Sequence, residues 1–132
     1  MIGLDTNVLL RYFVKDDLAQ WEKATHFIAA RCSSENPGFI DRVALCEMLW
    51  VLSRGHGYSR PDIVRVIQQL LATQELLLED EELVRSALQS YESSRIDFPD
   101  ALIARVNLAR GCEGTATFDR KAARYDGFIR VP

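Results

Sequence analysis

Histidine is scarce, occurring only at His26 and His56, and neither lies in an HExxH or beside a GxSxG. Zinc-protease helices and serine-hydrolase elbows are thereby excluded, and the two histidines read as a helix-surface and a loop residue. Cysteine is nearly as rare: Cys32, Cys46 and Cys112 are odd in number and far apart, which gives neither a disulfide framework nor a CxxC knuckle and fits a reducing cytoplasm. There is no GxxxxGK[ST] and no GxGxxG, so a nucleotide cofactor has no support. No apolar run is long enough to span a bilayer, and the opening Met1-Ile2-Gly3-Leu4 is strand-like rather than a charged leader. Neither a membrane partner nor export is expected.

An excess of positive charge is also missing. The 16 Lys and Arg against 19 Asp and Glu give a net charge of −3, with a pI near 5.4. A simple basic nucleic-acid binder draws its affinity from cations on phosphates and would not look like this. The average hides a segregation. From Glu75 to Asp100 eight acids face only Arg85 and Arg95, whereas from Ala101 to Pro132 six bases face Glu113, Asp119 and Asp126. Of the 16 basic residues 13 are Arg, the side chain suited to bidentate phosphate contacts, although a solvated Arg surface is the equally ordinary reading.

What is present describes a folded domain. The 132 residues, 48% apolar and 27% charged, are the size of one compact unit able to bury a core without disulfides, so residues 1–132 are expected to form a single domain. The pattern runs strand, helices, strand, helices, the rhythm of an α/β fold with a parallel sheet. Met1 to Asp5 is a short apolar run, after which Thr6 can cap a helix with Leu9, Leu10, Phe13 and Val14 on one face. A helix with Trp21, Ala24, Phe27 and Ile28 follows, then an Asn36-Pro37-Gly38 turn, a strand at Phe39 and Ile40, and a helix from Val43 to Leu52 that is apolar on nearly every side. Ser59-Arg60-Pro61-Asp62 has the form of a capping box, Leu76 to Leu78 of a strand, and Asp80 of a cap for the next helix. Asp97-Phe98-Pro99-Asp100 opens a further helix that Gly111 ends, and Thr115 to Phe118 and Phe128 to Val131 are strands around a short helical turn. The total is about five short strands and six or seven helices, read from periodicity alone.

Four carboxylates stand out. In an α/β sheet the active site lies at the carboxyl ends of the strands, and Asp5 and Asp119 both follow an apolar run directly; taken alone, each reads first as a helix cap. Glu47 is the only charge between Val43 and Leu52, where an ionised group costs several kcal/mol, on the order given for buried charges, unless an Arg partner or a metal offsets it. Asp100 is also a favourable first-turn acid. The four come from elements whose starts or inner faces could meet at one end of the sheet. Carboxylates that share a site repel one another and are tolerated mainly around a divalent cation, and all-oxygen ligands suit Mg²⁺ or Mn²⁺. The chemistry implied is metal-assisted phosphodiester hydrolysis, with one or two ions.

The segments that carry these residues resemble the PIN-domain ribonucleases, and more narrowly the VapC-type toxins of toxin-antitoxin pairs. They are Ile2-Gly3-Leu4-Asp5-Thr6-Asn7-Val8-Leu9, Glu47 within Val43 to Leu52, Asp97-Phe98-Pro99-Asp100-Ala101-Leu102-Ile103-Ala104 and Thr115-Ala116-Thr117-Phe118-Asp119. Each alone is weak, and the four in order span nearly the whole chain. The resemblance implies a three-layer PIN-like α/β fold, a central parallel sheet of about five short strands flanked by helices. It implies that Asp5, Glu47, Asp100 and Asp119 ligate Mg²⁺ or Mn²⁺ and position the attacking water. Thr6, Asn7 and Thr117 would orient carboxylates or water by hydrogen bonding, and Asp97 would be a cap or an outer acid. It further implies RNA as substrate, a homodimer and a cognate VapB-type antitoxin.

Support for those partners within the sequence is modest. Arg11, Arg42, Arg54, Arg120, Lys121 and Arg124 are candidates to guide an RNA backbone, each with a solvated-surface alternative, and Trp50 could face a dimer partner or the core. Two competing readings remain open at this level. A non-catalytic binding module would use the carboxylates as caps and Arg partners. An aspartyl-nucleophile phosphatase or phosphorelay receiver would want a second Asp where Asn7 stands, or a Lys after a late strand, where Lys121 lies in a helix-like turn.

Overall fold

A computed structural model describes residues 1–132. The fold is mixed α/β with parallel strands, and its contacts divide it into two compact units, residues 1–79 and 80–132.

The first unit runs β1 (Ile2–Gly3), α1 (Thr6–Phe13), α2 (Leu18–Arg31), β2 (Gly38–Ile40), α3 (Arg42–Gly55), α4 (Arg60–Ala72) and β3 (Leu76–Leu78). Its strands form one parallel sheet in the order β1-β2-β3, with Ile2 opposite Gly38 and Ile40 opposite Leu78. Helical crossovers make a parallel arrangement possible. The Asn36-Pro37-Gly38 turn carries a packing requirement as well: a Cβ on Gly38 would lie 2.7 Å from Leu4 Cδ1 and 3.1 Å from Cys32 Sγ, so a larger residue would have to displace these two buried side chains. Leu9, Ile40, Leu45, Met48, Leu52, Ile67 and Leu70 are fully buried. Ser59 and Asp62 close the expected capping box at the start of α4, each side chain accepting the other's backbone N–H.

The second unit runs α5 (Glu81–Ser93), α6 (Phe98–Ala109), β4 (Thr115–Thr117), a 3-10 turn (Ala122–Arg124) and β5 (Phe128–Arg130). Val84, Ala87, Leu88 and Tyr91 of α5 are buried, as are Phe98, Ala101, Leu102 and Ala104 of α6, and the rings of Tyr91 and Phe98 meet edge to face at 6.0 Å. The strands β4 and β5 pair in parallel, Thr115 opposite Phe128 and Thr117 opposite Arg130.

Several local expectations change. The five strands are present, but their ladders divide as three and two rather than running through one sheet, because strands of two or three residues offer few backbone groups for pairing. Asp5, not Thr6, is the N-cap of α1: its backbone is extended and its side chain accepts from the Thr6 N–H, while Thr6 is already helical. Asp80 holds the N-cap position of α5 in a left-handed conformation, φ 51°, with no side-chain capping bond. The helix α3 is amphipathic rather than buried all round. Ala44, Leu45, Met48, Leu49 and Leu52 face inward, whereas Val43 and Trp50 are 71% and 62% exposed, which removes the reading of Trp50 as a core residue.

Candidate active site

The second unit gathers carboxylates. Asp97 is the N-cap residue of α6, yet its side chain makes no capping hydrogen bond. Asp100 lies in the first turn, behind Pro99, and is half-buried. Burial pushes the Asp100 carboxyl above the usual aspartate range, and the negative charges of Asp97 and then Asp119 push it further. Three aspartates from two elements thus share one electrostatic environment. Asp119 follows β4 and is held by the backbone: its own N–H donates to Thr117 Oγ1 at 3.0 Å. Its Oδ1 accepts from the N–H of Lys121 at 2.8 Å and of Ala122 at 3.4 Å. These bonds engage one carboxylate oxygen and leave Oδ2 outside them. Thr117 acts on the Asp119 backbone rather than on its carboxylate.

Two more of the candidate acids belong to the first unit. Asp5 sits at the end of the β1 segment, where Leu4 N–H still donates to Phe39 O at 2.9 Å, and its Oδ1 accepts from Thr6 N–H at 2.7 Å. Capping and metal ligation are compatible here, because one oxygen is used and a carboxylate carries two. Thr6 is the one buried polar residue, 7% exposed, while Asn7 is exposed and lines an open groove of about 420 Å³ with Val8, Arg11 and Phe27.

Glu47 corrects the sequence argument: it is exposed, on the same face of α3 as Val43 and Trp50, four and three residues away. It needs no Arg or metal to offset burial, and the apolar residues around it in sequence lie across the helix from it. Its candidacy rests on the resemblance and on its position.

The basic candidates separate as sharply. Arg11 pairs with Asp16 at 2.9 Å, and Arg42 with Glu79 at 3.0 Å. Arg120, Lys121 and Arg124 are exposed and stand in no ion pair. Glu79 had no role in the sequence reading, yet it accepts both the backbone N–H and the guanidinium of Arg42, and these bonds hold its carboxyl below the usual glutamate range. An acid directly after the Leu76–Leu78 strand, the first of the run Glu79-Asp80-Glu81-Glu82, was the available signal. Phe118 lies just past β4 rather than at its end and is 81% exposed beside Asp119; an aromatic followed by Asp-Arg-Lys is the sequence signal there.

Within neither unit do three His, Cys, Asp or Glu side chains form a ready-made metal cage. The donors are nonetheless all carboxylate, the set that magnesium and manganese accept. Chemically, the second unit presents two aspartates at the start of α6 and a third on a pinned loop, with unpaired cations directly after the third.

Residues 2–128 match the PIN domain family. No curated protein matches the chain. No helix is long and apolar enough to cross a membrane. With a match over almost its whole length, parallel strands joined through helices and an aspartate cluster at the start of α6 and the end of β4, the chain belongs to the PIN domain family, whose fold is of the nuclease type.

Proposed function

We propose that this protein, acting through residues 1–132 as one nuclease domain, is a Mg²⁺- or Mn²⁺-dependent endoribonuclease. Asp5, Glu47, Asp100 and Asp119 are its proposed catalytic and metal-holding residues. The observation that carries the reading is the half-buried Asp100 with Asp97 and Asp119 acting on it, since like charges kept together are stabilised by a cation. When bound, a divalent ion there would supply a water of lowered pKa and neutralise charge on the cleaved phosphate. The chain's own residues hold the geometry: Thr117 and the N–H groups of Lys121 and Ala122 fix Asp119, the first turn of α6 fixes Asp100, and Thr6 N–H fixes Asp5. Asn7 and Thr6 are proposed to orient the acids of the first unit, and Asp97 to act as an outer acid.

The finer reading is a VapC-type toxin that is homodimeric, cytoplasmic and restrained by a VapB-type antitoxin. The family match supports its nuclease part. The exposed Val43 and Trp50 on α3 support a protein contact, and three free cysteines support a reducing compartment.

The test is a thermal melt of metal-free protein titrated with Mn²⁺, beside Asp100→Asn and a cleavage assay on single-stranded RNA. A ligand at 100 times its dissociation constant adds about 2.7 kcal/mol to the native state. The expected result is a saturable rise in melting temperature and cleavage, both lost in the variant. If wild type shows neither with Mn²⁺ and RNA present, the nuclease reading is overturned.

A further inference from the structure

Phe118 is the most exposed of the large apolar side chains, at 81%, and it lies between the two residues that fix the candidate catalytic loop. On one side Thr117 is in the ladder opposite Arg130, and its carbonyl accepts from Val131 N–H at 2.8 Å. On the other, Asp119 is tied at its backbone N–H by Thr117 Oγ1 and at Oδ1 by two further N–H groups. The backbone beneath the ring is therefore rigid, and a partner stacking on it orders little that is not already ordered. Single exposed apolar residues are common on protein surfaces. This one differs in its setting, because Asp119, Arg120 and Lys121 follow it directly and both cations are exposed and free of ion pairs.

We infer that Phe118 is a stacking platform for one base of a single-stranded RNA, placed beside the carboxylates at which the phosphodiester is cut; this rests on the nuclease reading above. An aromatic face accepts any base, and adjacent cations track the phosphates, which together form the usual device for holding single strands. A protein partner would call for a larger contiguous apolar surface at the centre of the patch, whereas the one exposed large apolar side chain on β4 and β5 is Ile129, at 45%, and the three residues after Phe118 are all charged. Stacking also suits an acidic chain. It supplies affinity for a polyanion without requiring net positive charge.

The experiment uses the full chain carrying Asp100→Asn, so that RNA is bound and not cut, with short single-stranded oligoribonucleotides made abasic at one position at a time. Phe118→Ala is expected to weaken binding by about 5- to 100-fold, and Phe118→Trp to restore it. One abasic position should weaken Phe118-containing protein by a similar factor and have no further effect on Phe118→Ala, a coupling that a merely structural residue would not produce. Unchanged binding by Phe118→Ala, or equal losses at every abasic position, would overturn the platform while leaving the nuclease reading standing. Loss of self-association with RNA affinity intact would overturn it in favour of a protein contact. Absence of RNA binding and cleavage by the wild type would remove the nuclease reading and the platform with it.

Discussion

Asp100 is the residue at which chemistry and stability are opposed. Its carboxyl is raised first by burial and then by Asp97 and Asp119, so the ionised form is worse off in the folded chain than in the unfolded one. A raised acid contributes stability that is fully present below its unfolded pKa and is lost as pH rises through the folded value. Without metal, Asp100→Asn is therefore expected to melt above wild type at pH 7. The gap should close as the pH falls below the ordinary aspartate value of about 3.9, where Asp100 is protonated in both states. Melts at several pH values in a chelator check this, and a variant that melts below wild type at neutral pH would show that the cluster is not under electrostatic stress. Residues such as Asp100 were legible in the sequence because their signal is local, an acid three places after the N-cap in the first turn of an apolar helix. Glu47 was misread for a related reason. Its neighbours in sequence are apolar, but a helix turns them to the opposite side, and the residue itself is exposed.

At the scale of elements, α3 shows what composition conceals. Its start is fixed twice: Asp41 accepts from Ala44 N–H at 2.8 Å, and Glu79, from the segment after β3, accepts from Arg42 N–H at 2.9 Å and from its guanidinium. The second tie joins positions 37 apart, and no local pattern announces it. Glu79→Ala is expected to cost about 1 kcal/mol, at the lower end because both side chains are partly solvated. The Glu79 pKa is lowered by these bonds, so its contribution exists above the unfolded glutamate value and fades as pH falls through the folded one. Urea unfolding at pH 7 and near pH 3 checks both statements: the difference between Glu79→Ala and wild type should be present at the first and small at the second. Elements with their own punctuation, such as the Ser59–Asp62 box and the Asn36-Pro37-Gly38 turn, were readable. The division of strands into ladders of three and two was not, since pairing is decided by distant partners.

For the whole molecule, charge sets the terms of substrate binding. Residues 1–79 carry ten acids against eight bases and residues 80–132 nine against eight, so neither unit attracts a polyanion by its net charge. Affinity for RNA must come from a few local contacts, and internal ion pairs decide which cations supply them. Arg11 and Arg42 are engaged by Asp16 and Glu79, whereas Arg54 on α3 and Arg120, Lys121 and Arg124 are exposed and outside any ion pair, the last three following Asp119 in the chain. Each single-strand phosphate neutralised contributes about 0.7 to the fall of log affinity with log salt, so three contacts predict a slope of about −2. That is shallow beside a basic binder with many contacts. Removing both Arg120 and Lys121 should reduce the slope to about −0.7, whereas Arg42→Ala should leave it unchanged while lowering stability through the lost Glu79 pair. A steep slope that Arg120 and Lys121 do not influence would place the RNA on another surface, and the acid cluster near Asp119 would then lack its cationic approach.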